Sequence, residues 1–118
     1  MSDEVVLDRT RLLTCFQGNQ AAADKILHQF VLSFPDDMRK LREFVTEGKF
    51  DEAHNSAHAF KGAALNVGAG KVAASALVLE NAYDEQRNPP PSQPDAEVML
   101  DSLEDALMEL MEAVMEDE

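Results

Sequence analysis

Phe50-Asp51-Glu52-Ala53-His54-Asn55-Ser56-Ala57-His58-Ala59-Phe60-Lys61-Gly62-Ala63-Ala64-Leu65-Asn66-Val67 is the stretch on which the fold turns. Its residues Phe50, Ala53, Ala57, Phe60, Ala64 and Val67 recur at steps of three or four, which is one face of an α-helix. Three of them are alanines, small enough to let a second helix approach closely. Gly68 and Gly70 then supply a turn. This reads as a core helix over 50–67.

Working outward, the chain repeats that pattern in both directions. Val72, Ala76, Leu79 and Tyr83 mark a helix over about 70–87, closed by Asn88-Pro89-Pro90-Pro91, a stretch that cannot be helical. Ser92, three residues before Asp95, makes a capping box for a last helix over 93–116, whose inner side is Met99, Leu103, Leu107, Leu110 and Val114. On the other side, Gly48 separates 50–67 from a long helix over 19–47, capped by Asn19. Leu27, Phe30, Phe34, Met38, Leu41 and Val45 keep one phase through it, so one helix bent near Pro35 is expected, with two shorter helices as the alternative. A short helix over 8–16 starts at Asp8, with Leu7 and Leu12 placed as a hydrophobic staple and Gly18 beyond its end. The expected fold is all-α: an antiparallel four-helix bundle with a short additional N-terminal helix, one domain over 1–118.

Composition narrows the function. The formal net charge is -13, and residues 95–118 hold ten acids and no base. Such a surface argues against nucleic acid or anionic membrane as a partner. No apolar run approaches a membrane span, and the acidic start does not read as a secretory signal. The single Cys15 excludes an internal disulfide and suits a reducing, cytoplasmic setting; between Thr14 and Phe16 it reads as a buried small hydrophobe.

The chemistry lies in the helix quoted first. At about 100° per residue, the apolar stripe centres about 130° from His58, so the imidazole faces away from the core. His54, Lys61 and Gly62 fall within about 60° of it. An exposed neutral imidazole is a competent nucleophile, and a lysine one turn on can place a cation beside it. Gly62, mid-helix, costs about 1 kcal/mol against alanine, so its missing side chain suggests a large partner coming close. A surface histidine beside a packing glycine is the competing reading. His54 and His58 also have the i, i+4 spacing of metal ligands, but no third ligand accompanies them and no metal is expected. His28, on the polar flank of its helix, reads as solvated, and Tyr83 as a core or rim aromatic.

Ala57-His58-Ala59-Phe60-Lys61-Gly62-Ala63-Ala64, followed by Val67-Gly68-Ala69, resembles the signature of histidine phosphotransfer domains, Ala-His-x-Leu-Lys-Gly with Gly-Ala at the helix end. Leu79-Glu80 resembles the pair closing that family's next helix. Leu7-Asp8, Leu12-Leu13, Gly18-Asn19, Phe30, Phe34-Pro35 and Leu41 resemble its first two helices. Phe60 replaces the commoner leucine, and Asp84 stands where some members carry a base.

The resemblance implies that His58 accepts a phosphoryl group at Nε2 from a receiver-domain aspartate and passes it to another receiver. Lys61 would offset phosphoryl charge, Gly62 would give steric access, and Glu80 would orient His58 through Nδ1–H. The partners implied are receivers of a hybrid histidine kinase and of a response regulator, met one-to-one and transiently by a monomer. No cofactor is expected on this chain; Mg²⁺ would sit in the receiver. Having no nucleotide loop, the chain would be a phosphotransfer intermediate without kinase or ATPase activity. A docking surface is expected from His54, Ala59, Leu65, Leu12 and Leu13, and the capped first helix with its starting methionine suggests a free-standing protein. The rival reading is an adaptor bundle that binds receiver or kinase domains without being phosphorylated.

Overall fold

A computed structural model describes residues 5–84 and 89–116. Five helices follow in order: α1 (Arg9–Cys15), α2 (Gln20–Thr46), α3 (Phe50–Asn66), α4 (Gly70–Ala82) and α5 (Gln93–Glu116). Each of α2 to α5 packs on its neighbours in the cycle α2–α3–α4–α5–α2, with α3 and α4 meeting most extensively. That is the expected four-helix bundle, with α1 laid against it beside α2.

The helix starts follow their chemistry. Asp8 Oδ1 accepts from the Arg11 amide, Asn19 Oδ1 from Ala22, and Ser92 Oγ from Asp95. Each such cap satisfies an amide that the helix itself cannot, worth about 1 kcal/mol. α2 continues without a break through Pro35, because Phe34, Met38 and Leu41 around it are all buried in one stripe.

Leu27, Leu41, Leu79, Leu103, Leu107 and Leu110 fill the centre of the bundle. Burying each stabilises the fold by roughly 1.5–3 kcal/mol over leaving it in water. The α3–α4 interface differs in kind. Ala53, Ala57 and Ala64 on one side and Ala69, Ala73 and Ala76 on the other are all buried, so the two backbones lie close and polar side chains at the edge can bridge them.

Gly68 ties the N-terminal segment to this pair. The Asp8 amide donates to the Gly68 carbonyl at 2.7 Å, and the Lys71 amide to Val5 at 2.7 Å. Both glycines of the turn meet that segment directly. A Cβ on Gly68 would lie 2.4 Å from the Asp8 carbonyl oxygen, and one on Gly70 3.3 Å from the Val5 backbone.

Three expectations need correction. The fourth helix ends at Ala82 rather than near 87; Tyr83 turns inward to stack on Phe50, ring centroids 5.3 Å apart, and the Asp84 amide donates to Asn81 in a tighter turn. Residues 85–88 lie outside the described ones. Leu12 belongs to no docking surface: at 2% exposure it plugs the core, because α1 is held down at Asp8 by the Gly68 carbonyl. Cys15 is exposed, since Phe16, four residues after Leu12, takes the next inward position and leaves the thiol to one side.

The acids of α5 are not all simply solvated. Arg42 of α2 reaches Glu97, Asp101 and Glu104, and Lys71 of α4 holds Glu109 at 2.7 Å. Burial disfavours the charge on Arg42, but the Asp101 and Glu104 carboxylates more than offset this and hold its pKa above the ordinary value. Among the described residues no helix is long and apolar enough to cross a membrane.

Candidate functional site

His58 stands on the outer side of α3 with its side chain 65% exposed. Its Nδ1 lies 2.6 Å from Glu80 Oε2, across the α3–α4 interface. Lys61, one turn further along α3, brings Nζ to 2.7 Å from Glu80 Oε1. That approach is off the axis of a well-formed hydrogen bond, so the ammonium holds the oxygen mainly by charge.

Glu80 is the buried member of the group, its side chain 12% exposed. Burial alone would raise its pKa; the Lys61 ammonium, together with His58 and its hydrogen bond, outweighs that and holds it below the usual carboxylate range. At neutral pH it is therefore a carboxylate, which can only accept. Nδ1 of His58 must then carry the ring proton, and in the neutral ring Nε2 keeps its lone pair. This is how an oriented imidazole is made ready as a nucleophile.

The sign of the pH effect follows. Since folding depresses the Glu80 pKa below 4.5, its contribution is fully present above that value and fades as pH falls through the folded pKa. Glu80→Gln should flatten the fall in stability between about pH 5 and pH 3 relative to the wild type. Urea melts across that range check this; parallel profiles would show the depressed pKa to be wrong.

Gly62 is exposed, and a Cβ there would meet nothing within 4 Å. No packing among the described residues requires a glycine at that position, which speaks against the reading of Gly62 as a packing residue. Leu65, two turns after His58 on the same face, is 40% exposed, and its carbonyl accepts from Arg11 Nε at 3.2 Å, which brings α1 alongside. Ala59 is exposed and Leu13 half-buried. Beside Ala59 runs a shallow groove between α2 and α3, lined by Phe30, Phe44 and Phe60 with Asp37 and Lys40.

His54 is half-buried, and its Nδ1 donates to the backbone carbonyl of Glu80 at 2.9 Å. Periodicity put His54 near His58 but could not show this bond, because a helix running to 87 would have left that carbonyl an amide partner of its own. His28 is likewise half-buried, its Nδ1 donating to the Asp24 carbonyl at 2.7 Å. Among the described residues no group of three or more His, Cys, Asp or Glu is placed to hold a metal ion.

No curated protein sequence matches the chain. Among solved structures it is similar to the HPT domain of an Hpt sensor hybrid histidine kinase from Shewanella. The TM-score is 0.72 over 94% of this chain and 95% of that one, at 17% identity. A likeness at that identity speaks for the fold alone. A family model for the Hpt domain matches residues 25–116, a span that takes in His58, Lys61, Gly62 and Glu80. With an exposed, oriented histidine inside that span, the chain belongs to the Hpt domain family, the histidine-containing phosphotransfer modules of two-component phosphorelay signalling.

Proposed function

We propose that this chain relays a phosphoryl group, taking it from a receiver-domain aspartate onto His58 Nε2 and giving it to a second receiver. The observation that carries this is the 2.6 Å contact from His58 Nδ1 to the Glu80 carboxylate, which places the neutral ring's proton on Nδ1 and leaves the Nε2 lone pair for the incoming phosphorus. In the step, the Nε2 lone pair forms a bond to phosphorus while the acyl phosphate's P–O bond breaks, its electrons leaving on the aspartate carboxylate. The ring, protonated at Nδ1 and phosphorylated at Nε2, becomes cationic. Glu80 is already in place to balance that charge, so little reorganisation is needed as the bond forms. Return of the group to a second carboxylate is the same path reversed.

Lys61 serves both states. In the free protein it holds Glu80; beside the phosphorylated ring its flexible stem lets the ammonium offset phosphoryl charge. Gly62 leaves the approach to Nε2 open. Ala59, Leu65 and the groove along Phe30 and Phe44 offer an apolar surface to the receiver, and transient one-to-one complexes of roughly micromolar affinity suit a relay. Mg²⁺ belongs to the receiver's site, and the compartment is the cytoplasm, where receivers and kinase domains meet.

The test is a transfer series with phosphorylated receivers of a hybrid kinase and of response regulators as donors. Wild type should gain an acid-labile phosphate at His58. Lys61→Ala should slow transfer about tenfold, the equivalent of one charge-assisted contact. Gly62→Ala should stabilise the fold by about 1 kcal/mol, whereas the bulkier Gly62→Gln should weaken both receiver binding and transfer. Receiver binding without any label on wild type would favour the adaptor reading instead.

A further inference from the structure

α4 ends one turn too early for Glu80. Its carbonyl is among the last four of the helix, which have no amide of their own to accept from. The Tyr83 amide donates to Leu79, and the Asp84 amide to Asn81. The helix also has no basic residue in its last turn. Among the described residues, what reaches the Glu80 carbonyl is an imidazole from the neighbouring helix, His54 Nδ1 at 2.9 Å. A carbonyl oxygen only accepts, so Nδ1 of His54 is protonated.

Glu80 is thereby gripped twice from α3, by its backbone through His54 and by its carboxylate through His58 and Lys61. The two histidines are one turn apart on α3 and so reach the same place on α4. Fixing the backbone of Glu80 fixes where its χ angles must carry the carboxylate. A contact as short as 2.6 Å tolerates only a small displacement before it weakens.

We infer that His54 is a positioning residue for phosphoryl transfer: by capping the Glu80 carbonyl it sets the reach of the Glu80 carboxylate, and through it the tautomer and aim of His58. This rests on the reading of His58 as phosphoacceptor. His54 touches no reacting atom.

Asparagine and glutamine separate this role from simple bulk. The Asn side-chain NH₂ occupies nearly the place of imidazole Nδ1, whereas that of Gln lies out near Nε2. His54→Asn should therefore keep the cap, and His54→Gln and His54→Ala should lose it. The first readout is the ¹⁵N spectrum of the His58 ring, which distinguishes the Nδ1–H from the Nε2–H tautomer. Wild type and His54→Asn should show Nδ1–H, and the other two variants a mixture with substantial Nε2–H.

The second readout is chemical phosphorylation by phosphoramidate. There Nε2 attacks phosphorus, the donor's P–N bond breaks and ammonia leaves, so no receiver is needed. His54→Gln and His54→Ala should react about three- to tenfold more slowly than wild type, in step with the lost tautomer, and His54→Asn within about twofold. Should His54→Ala fail to fold, the Asn and Gln pair decides alone. Equal tautomers and rates in His54→Asn and His54→Gln would overturn the inference. If instead the tautomers shift as expected but wild-type His58 never takes up phosphate, the phosphoacceptor reading fails and takes the role in transfer with it, while the control of the His58 tautomer by His54 stands.

Discussion

His58→Gln is expected to take up no phosphoryl group from a phosphorylated receiver, while melting within about 1 kcal/mol of wild type. The side chain is 65% exposed and contributes nothing to the core, so its loss removes chemistry and spares packing. Glutamine offers an amide in place of a lone-pair nitrogen, and an amide does not attack phosphorus. Glu80 loses one partner but keeps Lys61 at 2.7 Å, so its charge is not left alone in a buried place. The experiment pairs a radiolabelled receiver with the variant and reads acid-labile label beside a thermal melt. An acid-labile label on His58→Gln would move the nucleophile to His54 or His28. Both are half-buried, with Nδ1 spent on a backbone carbonyl, and neither presents itself as His58 does.

Gly68→Ala should destabilise the fold by about 2–4 kcal/mol, lowering the melting temperature by roughly 10 °C. Its φ of 75° is left-handed, which costs a non-glycine residue about 1–2 kcal/mol on its own. The rest comes from the Asp8 carbonyl, whose oxygen would lie 2.4 Å from the new Cβ. That carbonyl cannot simply retreat. Asp8 is bound through its own amide to the Gly68 carbonyl, and its oxygen accepts from the Leu12 amide at the start of α1. Gly48→Ala is the control, with a φ of 74° and nothing within 4 Å of a Cβ, so it should show the backbone cost alone. Equal melting of the two variants would refute the steric part.

Much of the bundle was legible because its signals are local. The caps Asp8, Asn19 and Ser92 act within one turn, and the stripe from Leu27 to Val45 runs unbroken through Pro35, so one helix was the economical reading. The end of α4 was not legible. Nothing between Tyr83 and the prolines breaks a helix locally; what turns the chain is Tyr83 packing on Phe50, thirty-three positions back. Leu12 and Cys15 failed for a related reason. A seven-residue helix has too few apolar positions to declare its face, and a bond to Gly68 decided it.

The site divides in the same way. That His58 faces outward with Lys61 and Gly62 nearby follows from α3 alone. Glu80 entered through resemblance, since no periodicity says which residue of α4 lies opposite a given residue of α3. His54 bonding to the Glu80 carbonyl depends on both that pairing and the early end of α4.

The alanine faces of α3 and α4 have one more consequence. Small side chains make shallow ridges, and two such helices can slide along each other with little loss of contact. Glu80 stops that motion. A shift of half a turn, about 2.7 Å, would stretch its contacts with His54, His58 and Lys61 together and leave a buried charge unpaired. The side chains that prepare the nucleophile are thus also the detent that locks the axial register of the two helices, so a slip of that register would misaim His58 as well.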